Sequence, residues 1–108
     1  MGAYVLKKSG TQFHFTLVAG NGKVILSSER YTTKPNALEG IQSVKDNSPY
    51  DARYEKKNAS DGSAMFNLKS SNGQVIGTSE TYSSAAAREI GVNSVKTNGP
   101  TAPIRDDT

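Results

Sequence analysis

The chain has no cysteine and no tryptophan, and its only histidine is His14. Without thiols there is no disulfide framework, no thiolate metal site and no cysteine nucleophile. A lone imidazole has no second ligand with which to hold zinc. Long apolar runs are also missing: no stretch approaches the roughly 20 residues of a membrane helix. The opening Met1-Gly2-Ala3-Tyr4-Val5-Leu6-Lys7-Lys8 lacks the apolar core of a signal peptide. Leu6 stands where a myristoylation signal needs Ser or Thr. A cytoplasmic protein without membrane attachment is expected. The glycines sit singly at turns and within helical patterns, so no phosphate-cradling loop is present. No catalytic residue, metal ligand or cofactor site is read from these residue types.

Charge of one sign is scarce as well. Thirteen Lys and Arg against ten Asp and Glu leave +3, a weak attraction for polyanions. At 108 residues the chain suits a single compact domain, residues 1–108, with room for one core.

What is present is a repeat. A shift of 51 residues superimposes Phe15 on Phe66, Leu17 on Leu68, Asn21-Gly22 on Asn72-Gly73, Val24-Ile25 on Val75-Ile76, Ser28-Glu29 on Ser79-Glu80 and Tyr31 on Tyr82. The match runs on through Gly40 and Gly91, Ser43-Val44-Lys45 and Ser94-Val95-Lys96, and Pro49 and Pro100. Upstream, Tyr4 and Lys7 align with Tyr54 and Lys57 at a shift of 50, so one loop of the second copy is a residue longer. The domain is therefore expected to be two repeats, 2–50 and 51–108.

Each repeat reads as three strands and a helix. Tyr4 to Lys7, or Tyr54 to Lys57, leads through a Gly-containing turn into Phe13 to Ala19, or Ala64 to Ser70. The Asn-Gly pair is the signal of a two-residue type I′ hairpin, which needs positive φ at both positions. Across such a turn Leu17 faces Leu26 and Ala19 faces Val24, on an apolar face that a helix would cover. Thr32-Thr33 and Ser83-Ser84 can cap the helices, and Pro35 suits a first turn. Leu38, Ile41 and Val44 form a narrow apolar stripe. Lys45 and Lys96 fall near the helix C-termini, where cations are favoured. A mid-helix glycine costs about 1 kcal/mol against alanine, and Gly40 and Gly91 imply close approach of helix to sheet.

The run Asn-Gly-x-Val-Ile-x-x-Ser-Glu-x-Tyr, followed by a short helix ending Gly-(Ile/Val)-x-Ser-Val-Lys, resembles the YegP-like family of small prokaryotic proteins of uncharacterised function. The resemblance spans nearly the whole chain. His14 and Met65 stand where the family pattern often has a basic residue. The alanine run that opens the family's helix is present as Ala85-Ala86-Ala87 and replaced by Lys34-Pro35-Asn36. The resemblance implies an α+β fold: a tandem, pseudo-two-fold β-β-β-α-β repeat with one antiparallel-rich sheet and two helices on one face. It further implies that the repeats exchange last strands, around Asp51 to Tyr54 and around Ala102 to Arg105. No catalytic residue comes with it.

Functional candidates follow from exposure. Alternation sends His14, Thr16, Val18, Ile25 and Ser27 away from the helices, and likewise Met65, Asn67, Lys69, Ile76 and Thr78. Val18 and Ile25 become cross-strand neighbours on a half-apolar face suited to a protein or peptide partner. Lys7, Lys8, Lys56, Lys57 and Lys69 form the alternative, a weak and sequence-independent contact with nucleic acid. Glu29 and Glu80, related by the repeat, would be paired carboxylates only at a suitable separation. They are expected to serve local bonding instead. Tyr31 and Tyr82 are expected to brace the first helical turn. A monomeric binding or structural module, not an enzyme, is the expected function.

Overall fold

The computed structural model describes residues 2–108. The strands are β1 (Ala3–Ser9), β2 (Gln12–Val18), β3 (Val24–Ser27), β4 (Tyr54–Asn58), β5 (Ala64–Lys69), β6 (Val75–Thr78) and β7 (Ile104–Asp107). Helices α1 (Lys34–Asn47) and α2 (Ala85–Asn98) follow β3 and β6. All seven strands form one sheet in the order β4-β5-β6-β3-β2-β1-β7. The repeats meet at β3 and β6, through the Ser27–Thr78 bridge. Every ladder is antiparallel except β1 with β7. The fold is α+β, as the repeat implied.

Strand exchange takes place on one side only. β7 crosses to the first repeat and pairs with β1, Tyr4 opposite Ile104. Asp51 to Arg53, expected to be the other exchanged segment, is a single 3-10 turn. The cause is chain continuity: Arg53 passes directly into β4, and a segment cannot lie alongside the strand that it begins.

The hairpin turns also differ from expectation. Gly22 alone in the first of them has positive φ, 84°, and no residue other than glycine does among those described. Gly22 N–H donates to the Ala19 carbonyl (2.9 Å) and Ala19 N–H to the Lys23 carbonyl (2.8 Å). This is a three-residue loop, a type I turn closed by a glycine bulge. Asn21 stays outside the left-handed region and accepts from Lys23 N–H at 3.0 Å. Ser70 to Gln74 repeats the arrangement, with Gly73 at φ 85°.

The extra residue changes which side chains face the core. Leu17 pairs with Leu26, but Val18 pairs with Val24, and Ile25 is bulged between them. A bulge reverses the side-chain alternation beyond it. Ile25 is only 6% exposed and lies in the core cluster, not beside Val18 on the open face. Ile76, in the matching bulge, is 8% exposed and sits in the same cluster.

The helices span the repeats. α1 lies over β2 and also over β5 and β6, while α2 lies over β5 and β3. Thr33 and Ser84 cap them, accepting from Asn36 N–H (3.2 Å) and Ala87 N–H (3.0 Å). The buried stripe of α1 is Ala37, Gly40, Ile41 and Val44. Leu38 is 37% exposed, because one position further round the helix points it past the sheet. The C-terminal ends are held by buried phenols: Tyr4 donates to the Gly99 carbonyl (2.6 Å) and Tyr54 to the Ser48 carbonyl (2.7 Å). Burial pushes both phenols well above the ordinary tyrosine pKa, and for Tyr4 the nearby Tyr54 adds to this.

Tyr31 and Tyr82 pack deeper than the first helical turn. Tyr31 stacks on Phe15 (6.2 Å between centroids, 10° between planes) and Tyr82 on Phe66 (6.3 Å, 10°). Their other sides fit against the mid-helix glycines. A Cβ on Gly40 would lie 2.7 Å from Tyr31 Cζ, and one on Gly91 would lie 2.5 Å from Tyr82 Cζ. The glycine thus admits a tyrosine ring between helix and sheet.

Two tests follow from this packing. Alanine at Gly40 or Gly91 would gain about 1 kcal/mol of helix propensity, whereas overpacking costs about 1–3 kcal/mol. A ring stacked on phenylalanine cannot retreat, so Gly40→Ala and Gly91→Ala should each lower the urea midpoint. A raised midpoint would show that the tyrosines yield. The second test separates the repeats. A fragment from Ala52 to Thr108 loses α1 from above β5 and β6, and loses β1 from beside β7. It should dimerise, with a melting temperature that climbs with concentration. A monomeric fragment with a cooperative, concentration-independent melt would refute the shared core.

Candidate functional site on the open sheet face

Away from the helices, one row of side chains crosses every strand. Arg105, Val5, Thr16, Ser27, Thr78, Asn67 and Glu55 are successive cross-strand partners. Strand alternation puts them on one face. The repeat makes Val5 the counterpart of Glu55, Thr16 of Asn67, Ser27 of Thr78 and Val18 of Lys69. The same backbone therefore carries two different surfaces.

In the second repeat the row is a closed polar network. Thr78 donates to Asn67 Oδ1 (3.1 Å), Asn67 Nδ2 to Glu55 Oε1 (3.2 Å), and Lys69 Nζ to Glu55 Oε2 (3.0 Å). The Lys69 hydrogen bond, followed by that from Asn67, holds the Glu55 carboxyl below the usual range. Within this row Glu55, Asn67, Lys69 and Thr78 satisfy one another.

In the first repeat the network has no counterpart. Val5 and Val18 replace the ion pair, and with Ala3, Thr16 and Val24 they line a cleft of about 380 Å³. The Ala19-Gly20 and Gly22 turn forms one wall, while Lys7 and Arg105 stand on the rim. Arg105 binds Asp107 Oδ2 through Nε (3.2 Å) and Nη2 (2.9 Å). Lys7 has no ion-pair partner among the described residues. Val5, though on the open face, is only 7% exposed.

The remaining sequence candidates disperse. His14 lies opposite Lys7 and Met65 opposite Lys57, both half-buried on the open face. Lys56 pairs with Glu89 (3.0 Å), Lys69 with Glu55, and the Lys8 ammonium lies over the Phe13 ring (5.8 Å). Of the five lysines, only Lys7 and Lys57 are exposed without such engagement. Glu29 and Glu80 are exposed, and no hydrogen bond or ion pair involves their carboxylates among the described residues. Their serine neighbours do the local bonding: Phe15 N–H donates to Ser28 Oγ and Phe66 N–H to Ser79 Oγ, both at 2.9 Å. Val5 and Arg105 were missed from sequence. Tyr4 and Leu6 facing the core would have placed Val5 opposite, but nothing local reveals that β7 pairs with β1.

Comparison with known proteins fits this architecture. A family model described as a domain of unknown function, DUF1508, matches residues 9–55 and 59–106. The chain belongs to this family. It is 54% identical over 107 residues to a UPF0339 protein of Bordetella pertussis, covering 99% of this chain and 96% of that one. It is 53% identical over 102 residues to the UPF0339 protein YegP of Escherichia coli K12, covering 94% and 93%. The solution structure of E. coli yegP, a protein of unknown function, matches with a TM-score of 0.93 at 52% identity, covering 99% of this chain and 93% of that one. The solution structure of a UPF0339 protein from Shewanella oneidensis matches with a TM-score of 0.90 at 55% identity, covering 97% and 90%. The YegP-like resemblance is thus established, in a family whose function is unknown.

The second-repeat network has a pH signature. Because the folded pKa of Glu55 is depressed, its contribution is present above the unfolded value of about 4.3 and lost as pH falls through the folded value. Glu55→Gln should lower the urea midpoint modestly at neutral pH, since exposed pairs contribute little. The gap between the two proteins should shrink as pH falls below the unfolded value and on through the depressed folded value. A gap that widens on acidification would contradict the network.

Proposed function

We propose that the protein is a non-enzymatic binding module of the cytoplasm. It acts as a monomer and takes a segment of a partner polypeptide into the open-face cleft of its first repeat. The observation that supports this is the contrast between equivalent halves: Glu55, Asn67 and Lys69 satisfy one another, while Val5, Thr16 and Val18 border a cleft. Scattered surface valines are ordinary. The cleft's lining is mixed, with Val5, Val18 and Val24 beside the Thr16 hydroxyl and the turn backbone, and Lys7 and Arg105 at the rim; a recognition pocket likewise combines apolar walls with placed polar groups. Nucleic acid draws less support, because Lys56 and Lys69 are already held by Glu89 and Glu55.

Selection of displayed random peptides against the purified protein tests the reading. The wild type should enrich a peptide class that Val18→Lys, which copies the second repeat, fails to enrich while keeping its melting temperature. Enrichment unaffected by Val18→Lys would move the site elsewhere. Salt-sensitive DNA binding lost in Lys7→Glu/Lys57→Glu, with no peptide enriched, would favour the polyanion alternative.

A further inference from the structure

Three hairpin turns place Asn or Asp directly before glycine: Asn21-Gly22, Asp61-Gly62 and Asn72-Gly73. Asparagine is thermolabile, most of all before glycine, whose missing side chain lets its nitrogen approach the preceding side-chain amide. That nitrogen, losing its proton to water, attacks Cγ; the new C–N bond closes a succinimide ring, and Nδ2 leaves as ammonia. Water then opens the ring at either carbonyl. One product is aspartate, and the other is isoaspartate, in which the backbone runs through the side-chain carbons.

The three turns are built alike. Asn21 accepts from Lys23 N–H (3.0 Å), Asp61 from Ser63 N–H (2.9 Å) and Asn72 from Gln74 N–H (3.0 Å). The N–H of each following glycine donates at 2.9 Å, to the carbonyl of Ala19, Ala59 or Ser70. The attacking nitrogen is thus engaged in every folded turn, and reaction waits on local opening, which exposed loops undergo readily. The turns differ in what resists opening. The Ser70 hydroxyl also donates to Asn72 Oδ1, and Ser71 precedes that asparagine. Asn21 has Ala19 and Gly20 in those two places, so the extra bond is missing and the loop gains more freedom on opening. Asp61 is held ionised by its bonds from Ser63, and a carboxylate is a poor electrophile. A fourth pair, Asn98-Gly99, ends α2, with Gly99 buried and Asn98 Nδ2 tied to the Ser94 carbonyl (2.9 Å).

We propose that Asn21 is a site of spontaneous isoaspartate formation in the folded protein, the first of the four pairs to rearrange. Its neighbours Gly20 and Gly22 wall the open-face cleft, and its loop precedes the bulge that turns Ile25 into the core. Isoaspartate lengthens this short loop by one backbone atom. Aspartate does not, and it can accept from Lys23 N–H as Asp61 does from Ser63. The reaction therefore has one disruptive product and one tolerated product.

The full chain, incubated warm at mildly alkaline pH, is sampled over weeks and mapped by proteolysis and mass spectrometry, with aspartyl and isoaspartyl peptides separated. Asn21 should convert at least threefold faster than Asn72, with Asp61 and Asn98 slower still. In denaturing urea Asn21 and Asn72 should convert at similar rates. Ala19→Ser/Gly20→Ser, which copies the second loop, should slow Asn21 to the rate of Asn72 without lowering the melt. The purified isoaspartyl form should melt below the parent protein and shift the amides of Val24, Ile25 and Leu26, while the aspartyl form melts with the parent. Asn72 reacting as fast as Asn21 in the folded chain, or conversion confined to urea, would overturn the assignment. An Asn21 rate unchanged by Ala19→Ser/Gly20→Ser would refute the loop composition as its cause.

Discussion

Two helix C-termini are buried against the core, and the rest of the structure depends on how their carbonyls are satisfied. The last carbonyls of a helix have no intrahelical donor, and leaving one unpaired away from water costs about 1–3 kcal/mol. The donors are the phenols of Tyr4 and Tyr54, on Gly99 and Ser48. The ends lie so close that a Cβ on Gly99 would meet Ser48 Oγ at 2.5 Å. Lys45 and Lys96 place their ammonium groups over the same two rings, at 5.6 and 5.7 Å. Each adds a cation where the helix field is negative. Because Tyr4 opens the first repeat and Gly99 closes the second helix, this bond draws the two chain regions together. It sets β1 where β7 can join it.

The sheet's two edges are then resolved in different ways. On one side Tyr4 N–H donates to the Pro103 carbonyl at 2.8 Å and β7 runs alongside β1. Lys34 clasps β7 through an ion pair with Asp106. On the other side no strand among the described residues lies beside β4, and the edge is blunted by other means. Tyr54 N–H turns back to the Asp51 carbonyl, Arg88 donates to the Lys57 carbonyl at 3.2 Å, and Lys56 is drawn to Glu89. Charged side chains and a bent-back strand end are common protections against edge-to-edge pairing. The asymmetry follows from a linear chain imitating a two-fold: one last strand is free to cross over and the other is needed as the connection.

What the sequence disclosed was whatever depends on local chemistry. The repeat, the helix caps at Thr33 and Ser84, the lysines of the last turns and the approach at Gly40 and Gly91 could all be read from residue type and spacing. The misplacement of Ile25 and Ile76 has one origin, the turn. Reading Asn21-Gly22 as a two-residue hairpin instead of a three-residue loop with a glycine bulge shifts the count by one residue. In a strand, one residue exchanges faces. That slip moved Ile25 and Ile76 from core to surface, and it left Val18 beside the wrong neighbour. Arg105 reached the open face through a parallel pairing across nearly the whole chain, which no local pattern encodes.

The identical positions of the two repeats and the divergent ones lie in different places for a physical reason. Gly22 and Gly73 hold positive φ, Ser28 and Ser79 accept from the N–H groups of Phe15 and Phe66, and Tyr31 and Tyr82 fill the gaps beside Gly40 and Gly91. Each is fixed by a backbone shape or a dense contact that tolerates few alternatives. The open face has no such layer above it, so its composition is free of the core's packing demand. In the second repeat that freedom carries a polar network that consumes its own donors and acceptors. In the first it leaves valines around a concavity and places two cations at its edge. The backbone beneath is the same in both halves, so the difference between the two surfaces lies wholly in side chains that the core does not constrain.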